Sequence, residues 1–156
     1  MIEITLILLP FTILKETLKI FKEYGKQSLE AFAIWVGKEE NTTFEIKDVW
    51  IPTQFNTTFS FFVPDIDVHN INVELNKKKY SAIAQLHTHP DNAFHSCIDD
   101  NYSILTLPGS FSIVVPDFGN ISIKNNFNDM IVYRLIDKKW VIHSISKVNK
   151  LFKVIK

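Results

Sequence analysis

The chain has 156 residues, with 17 acidic and 17 basic residues and a hydrophobic share of 46%. A chain of this length folds around one core, so we expect a single domain over residues 1–156. The balanced charge removes the attraction that drives sequence-independent nucleic-acid binding, and we expect no nucleic-acid partner.

The apolar start of the chain is interpreted as mature structure. It has no basic residues at its beginning, and it is interrupted by Pro10, Lys15 and Glu16 well short of the roughly 20 residues that cross a bilayer. The one cysteine, Cys97, cannot form an internal disulfide, which is typical of a reducing compartment. We therefore expect a cytoplasmic protein without a membrane segment.

The first predicted elements are a strand and an amphipathic helix. Residues 2–9 are β-branched and leucine-rich and end at a proline, which predicts a strand. From Phe11 to Phe21 apolar residues recur at helical spacing. Pro10 suits the first turn of this helix, and Gly25 suits its C-terminal cap.

A hairpin, a short helix and a further strand follow. Residues 30–37 and 44–51 predict two strands joined by the polar turn KEENTT. The spacing of Val68, Ile71 and Leu75 predicts a short helix. Residues 80–86 predict a strand that runs directly into the sequence HTHP, where the proline must end the ladder.

The second half begins with a helix-start pattern, in which Ser96 caps the first turn and Asp99 follows three residues later. Pro108 and Gly109 end this helix. Further strands are predicted at residues 111–116, around 121–123, at 130–136 and at 139–145. The whole pattern predicts an α/β or α+β single domain, with a central mixed β-sheet flanked by about three helices.

The chemistry is concentrated around two histidines at a strand end. Alternate residues of a strand point to one face, so His87 and His89 can present both imidazoles to one metal ion. Asp99 can complete a set of three protein ligands, which leaves the fourth zinc position open, as in catalytic sites. Glu30 opens an apolar strand, where a carboxylate is out of place without a partner or a role, and it is the candidate base.

These residues resemble the JAB/MPN metalloprotease family, also called JAMM. The family pattern is a Glu on an early strand, then His-x-His-Pro and Ser-x-x-Asp. This sequence has Glu30, then His87-Thr88-His89-Pro90, then Ser96-Cys97-Ile98-Asp99. The segment AQLHTHPDNAFHS is most similar to the prokaryotic branch of the family. The order of elements resembles the JAB/MPN-like (cytidine-deaminase-like) fold over about the first 120 residues.

The resemblance implies a zinc isopeptidase or peptidase that cleaves after the C-terminus of a ubiquitin-like protein, in deconjugation or precursor processing. It implies one Zn²⁺ per chain held by His87, His89 and Asp99. Glu30 would take and return protons, and Ser96 would stabilise the oxyanion. Some prokaryotic members are encoded beside ubiquitin-like, E1-like and E2-like proteins in antiphage defence operons, which would make such proteins partners.

Several of these residues also have a simpler, structural interpretation. Ser96 can be a helix cap alone, and the neighbouring Asp100 can replace Asp99 as the ligand. His95 can line the site or lie at the surface. Cys97 is expected to be a spectator thiol because a nucleophile needs a base and an electropositive site. We also expect His69 and His143 at the surface and Trp35, Trp50 and Trp140 in packing.

The alternative function is a catalytically silent MPN-type scaffold or protein-binding module, against which the complete motif argues. Amidohydrolases also carry His-x-His at a strand end, but they need a barrel of about 250 residues. Zinc nucleobase deaminases need a Pro-Cys-x-x-Cys sequence, which a single cysteine cannot supply.

Overall fold

The structure is a computed structural model that describes residues 3–92 and 104–156. None of the helices in these residues is both long and apolar enough to cross a membrane. The strands are β1 (Leu6–Pro10), β2 (Phe32–Glu40), β3 (Thr43–Trp50), β4 (Phe55–Asn56), β5 (Phe61–Phe62), β6 (Ser81–Thr88), β7 (Phe111–Val115), β8 (Ile131–Ile136), β9 (Lys139–His143) and β10 (Phe152–Ile155); the α-helices are α1 (Phe11–Gly25), α2 (Asp65–Lys78) and α3 (Ile145–Leu151).

Eight of these strands form one mixed sheet in the order β10-β1-β3-β2-β6-β7-β8-β9, and β4 and β5 form a separate hairpin. The pairs β1/β10, β1/β3 and β6/β7 are parallel, whereas the other neighbours are antiparallel. The predicted mixed α+β architecture is confirmed, and α1 and α2 correspond to predicted helices. The third helix, α3, was not predicted. The helix predicted from Ser96 begins outside the described residues, and its predicted end at residues 104–109 is not helical.

The two faces of the sheet carry different layers. The larger core lies under α1 and contains Trp35, whose ring is fully buried and whose Nε1–H donates to Thr17 Oγ1 at 3.0 Å. On the other face, Phe32, Ile34 and Val36 of β2 pack against apolar residues of α2 and the β4/β5 hairpin. Trp50 and Trp140 are half-buried in packing clusters on the sheet, as predicted for all three tryptophans.

The hairpin between β2 and β3 is tighter than predicted. The charged residues 38–40, expected in a turn, continue β2, and Glu40 pairs with Thr43. Only Asn41 and Thr42 remain between the strands, and Asn41 has a φ of 56°, a conformation that asparagine tolerates well. The charged side chains are exposed, so the strand continues into solvent without burying charge.

Gly25 does not form the predicted left-handed cap, because it is the last helical residue and Lys26 after it is still right-handed. Its role is a close approach: a Cβ at this position would lie 2.6 Å from Phe118 Cβ. The bare glycine lets the turn Asp117–Gly119 pack against the end of α1.

The predicted strand around residues 121–123 is wrong. Ile121 and Ile123 do pack against the larger core, which explains their apolar character. Their backbone, however, forms a bend and a 3₁₀ turn (Ile123–Asn125) in which Ser122 Oγ accepts the Lys124 N–H. The predicted strand 139–145 also ends early, at His143, because Ser144 caps α3 by accepting the Lys147 N–H.

Candidate metal centre

Glu30 and the two histidines are brought together by the pairing of β2 with β6. Phe32 lies opposite His87 in this antiparallel pair. One step further, the Ala31 N–H donates to Thr88 Oγ1 at 2.9 Å and the Thr88 N–H donates to Ala31 O at 3.0 Å. The same register places Glu30 opposite His89. Directly opposed residues share a face of a sheet, so Glu30, His87 and His89 lie on one face.

The two imidazoles converge on one point. His87 Nε2 and His89 Nε2 are 3.2 Å apart, and both residues are buried, with 2% and 7% exposure. Two nitrogens that bind one tetrahedral zinc ion at about 2.0–2.1 Å lie about 3.3 Å from each other. Without a metal, the same spacing allows the rings to share one N–H···N hydrogen bond. The separation of the two nitrogens therefore matches that of two ligands of one zinc ion.

A polar segment holds the backbone of Glu30 on the side away from β6. The Glu30 N–H donates to Thr57 O at 2.8 Å, and Asn56 Nδ2 donates to Glu30 O at 2.7 Å. Gln54 adds two bonds to the backbone of Phe32, at 2.8 and 3.0 Å. These side chains replace the bonds that β3 would make, because β3 pairs with β2 only from Ile34 onward. The backbone of Glu30 is thereby fixed to residues 56 and 57, and Glu30 is only 3% exposed.

Aromatic rings form one wall of the site. The Phe61 ring lies 5.5 Å from the His87 ring and stacks on Phe32 at 4.9 Å. Farther along the β4/β5 hairpin, Phe55 and Phe59 are 64% and 78% exposed. The hairpin thus continues from the buried histidines to an exposed aromatic surface.

Gln85 ties the following chain to the same face. It lies two residues before His87 on β6 and is 4% exposed. Its Oε1 accepts the N–H groups of Ile104 and Leu105, both at 3.1 Å, while its Nε2 donates to Ser112 Oγ at 3.3 Å. Residues 104 and 105, where the described chain resumes, are therefore anchored to Gln85, two residues before His87.

The pairing of β2 with β6 puts Glu30, His87 and His89 on one face of the sheet, and their roles as base and metal ligands stay predictions. The predicted residues Ser96 and Asp99 lie outside the described residues, as do His95, Cys97 and Asp100. Within the ranges 3–92 and 104–156, no three His, Cys, Asp or Glu side chains come close enough to hold a metal ion. The third ligand thus stays a prediction.

The sequence analysis missed the residues that position this site. They are the uncharged polar residues Gln54, Asn56, Gln85 and Thr88. One signal was present for Gln85, which is an amide inside the apolar strand YSAIAQL, where a buried polar group needs hydrogen-bond partners.

Two known proteins are similar to this chain, one in sequence and one in fold. The chain is 36% identical over 118 residues to a protein of Sinorhizobium fredii named as a probable metalloprotease, which covers 73% of this chain and 72% of the relative. The solution structure of a protein from Desulfitobacterium hafniense has a similar fold, with a TM-score of 0.64 and 12% identity over 96% of this chain and 94% of that chain. No family model matches the sequence. The identity to the first relative is high over most of both sequences, and this chain belongs to the family of that probable metalloprotease.

Proposed function

We propose that the protein is a JAB/MPN-type zinc peptidase that cleaves after the C-terminus of a ubiquitin-like protein. The observation that carries the proposal is the 3.2 Å separation of His87 Nε2 and His89 Nε2 at the end of β6. Membership in the family of a probable metalloprotease supports a metal-dependent peptidase.

In this proposal His87, His89 and Asp99 would hold one Zn²⁺, which when bound would supply Lewis-acid polarisation of the scissile carbonyl and acidification of the attacking water. The Glu30 carboxylate accepts a proton from the water and returns it to the leaving amine. The hydrogen bonds of the Glu30 backbone fix the chain that carries this carboxylate. The Ser96 hydroxyl donates to the oxyanion.

The proposed substrate is the extended C-terminal tail of a ubiquitin-like protein. The exposed rings of Phe55, Phe59 and Phe62 lie on the hairpin that borders the histidines, where they offer an apolar contact surface to a chain entering the site. The E1-like and E2-like proteins that attach such a modifier would be further partners, in an antiphage conjugation system of the cytoplasm. This part of the proposal derives from the prokaryotic branch of the motif.

Zinc content tests the metal site. We expect about one zinc ion per chain in the purified protein and none after the double substitution His87→Ala/His89→Ala. The matched control is His69→Ala, an exposed histidine on α2, which should keep its zinc. Asp99→Asn and Asp100→Asn, compared side by side, identify the third ligand. Zinc retained in the double variant, or absent from the wild type after reconstitution, would show that the metal site is wrong.

Glu30→Gln tests the base separately from the metal. The variant should bind zinc like the wild type and lose peptidase activity on ubiquitin-like fusions by about 10²–10⁴-fold, the usual contribution of a positioned acid–base group. Glu39→Gln, on the exposed end of the same strand, should stay active. If Glu30→Gln keeps full activity, Glu30 is not the base. A wild type that binds zinc and cleaves no ubiquitin-like conjugate would instead favour the scaffold function.

A further inference from the structure

A second polar site lies on the opposite face of the sheet and at the opposite end of β7. The histidine centre adjoins Val115, which pairs with Thr88, whereas Phe111 begins the strand four residues earlier. Four residues of strand span about 13 Å. Phe111 belongs to the core under α1, while His87 faces the other layer. The two sites are therefore structurally independent.

Basic side chains from three elements surround a cleft of about 250 Å³ at this end. Arg134 of β8 and His143 of β9 share a face of the antiparallel pair, because Val132 opposes His143 and Arg134 opposes Val141. Lys147 and Lys150 of α3 are three residues apart and lie on one side of the helix. Four nitrogen-bearing side chains thus line one opening, together with a single carboxylate, Glu3.

The deeper two of these side chains are held in place by one buried ring. The Arg134 guanidinium carbon lies 5.0 Å from the centroid of the Phe111 ring, and its Nε donates to Gly109 O at 3.4 Å. The His143 ring meets the same phenylalanine edge-to-face at 5.8 Å. Groups ordered in advance lose less entropy when a ligand binds. Arg134 and His143 are therefore preorganised, whereas Lys147 and Lys150 are exposed and adjustable.

The positive charge in this cleft is not neutralised by close ion pairs. In the described part of the chain the ion pairs are Lys26–Glu23, Lys47–Glu45 and Lys77–Glu74, and none involves the cleft. Burial, Arg134 and Lys147 all lower the pKa of His143. An unpaired basic cluster of this kind attracts an anion, and a bound anion would favour the protonated imidazole.

We propose that this cleft binds the phosphate group of a small soluble molecule, held by Arg134, His143, Lys147 and Lys150. Three permanent cations against one carboxylate favour a dianion over a monoanion. The planar guanidinium suits an oxyanion with several acceptor oxygens. The volume accommodates a phosphate group with a short substituent and is smaller than the usual drug-sized pocket. The site is separate from the proposed peptidase centre, so the proposal holds whether or not that activity is found.

The test is a titration of the protein with inorganic phosphate, followed by NMR of the His143 imidazole and by calorimetry. Sodium chloride at equal ionic strength serves as the salt control. We expect saturable binding of one phosphate and a rise of the His143 pKa, because a bound anion favours the protonated imidazole. The double substitution Lys147→Gln/Lys150→Gln should weaken binding by about three- to tenfold, since both lysines are exposed. Lys15→Gln/Lys19→Gln, on the exposed side of α1, removes the same charge elsewhere and should bind like the wild type.

Three results would overturn the proposal. Equal affinity in all three proteins would place the phosphate elsewhere, and a His143 response reproduced by sodium chloride would be a general salt effect. Capture of the protein by phosphatidic acid vesicles over phosphatidylcholine vesicles, with no binding of free phosphate, would identify a membrane surface in place of a small soluble ligand.

Discussion

Thr88 stands between the two histidines and connects them to the strand of Glu30. Its side chain points to the face opposite the imidazoles and is fully buried. There its hydroxyl accepts the Ala31 N–H, a bond that a backbone carbonyl would make in a regular ladder. The middle residue of the His-Thr-His sequence thus sets the position of Glu30 relative to His89.

We predict that Thr88→Val destabilises the protein by about 1–3 kcal/mol. Valine has the shape of threonine but leaves the buried Ala31 N–H without an acceptor, and that group then carries its full desolvation penalty. The free energy of unfolding in urea, with both proteins in the same metal state, measures the effect. Thr88→Ser keeps the hydroxyl and removes only a methyl group, so it should cost about 1 kcal/mol and retain more peptidase activity than the valine variant. A valine variant as stable as the wild type would mean that the Ala31 N–H finds another acceptor.

The motif predicted the candidate site residues, whereas the residues that support them were not predicted. His87, His89 and Glu30 were recognised because their residue types and order match a known motif. The pairing that places Glu30 opposite His89 joins residues 59 positions apart, and no local pattern reports it. The roles of Asn56 and Gln54 could not be predicted either, because they depend on where β3 stops pairing with β2.

The strand β6 links the histidines to the segment that follows them. Gln85 on this strand accepts two backbone N–H groups at residues 104 and 105, where the described chain resumes. The intervening residues 93–103 carry Ser96 and Asp99 in the sequence. If Asp99 is the third zinc ligand, the anchor at Gln85 restricts where that ligand can lie.

We therefore predict that Gln85→Leu weakens zinc binding by about 10–100-fold, the usual cost of losing a group that orients a metal ligand. Leucine fills the buried position but cannot accept the N–H groups of Ile104 and Leu105. Competition for zinc with a chromogenic chelator measures the affinity. Ser112→Ala is the matched control, because it removes the partner of Gln85 Nε2 and leaves both anchoring bonds intact. Unchanged zinc affinity in Gln85→Leu would show that the hydrogen bonds from Gln85 to residues 104 and 105 do not influence zinc binding.

Most of the helices and strands could be predicted where a long periodic pattern met a clear stop signal. The helix from Phe11 and the strands near residues 30–37, 44–51 and 111–116 are of this kind. The wrong predictions concern segments whose secondary structure depends on tertiary contacts. The charged end of β2 pairs because Asn41 permits a two-residue turn, and the isoleucines near residue 121 reach the core without joining the sheet.

The last residues of the chain form helix α3 and strand β10, which the sequence pattern did not predict. Both elements follow the last predicted strand. Strand β10 pairs in parallel with β1, which lies near the N-terminus of the chain. A four-residue strand has too little periodicity to be recognised alone. Its position depends on β1, so the N-terminal and C-terminal parts of the sheet stabilise each other.

Phe152 at the start of β10 tests this coupling. The residue is 5% exposed, and its ring lies 5.1 Å from Phe111 and 4.9 Å from Phe127 in the larger core. Phe152→Ala should lower the free energy of unfolding by about 3–5 kcal/mol, the range for deleting a buried aromatic ring. Lys153→Ala, at the exposed neighbouring position, should stay within about 0.5 kcal/mol of the wild type. Urea unfolding followed by tryptophan fluorescence reports the core directly, because Trp35 packs edge-to-face on Phe127 at 6.3 Å. If the alanine variant unfolds like the wild type, β10 frays independently of the core. If it loses stability as expected, β10 belongs to the same cooperative unit as the core around Trp35.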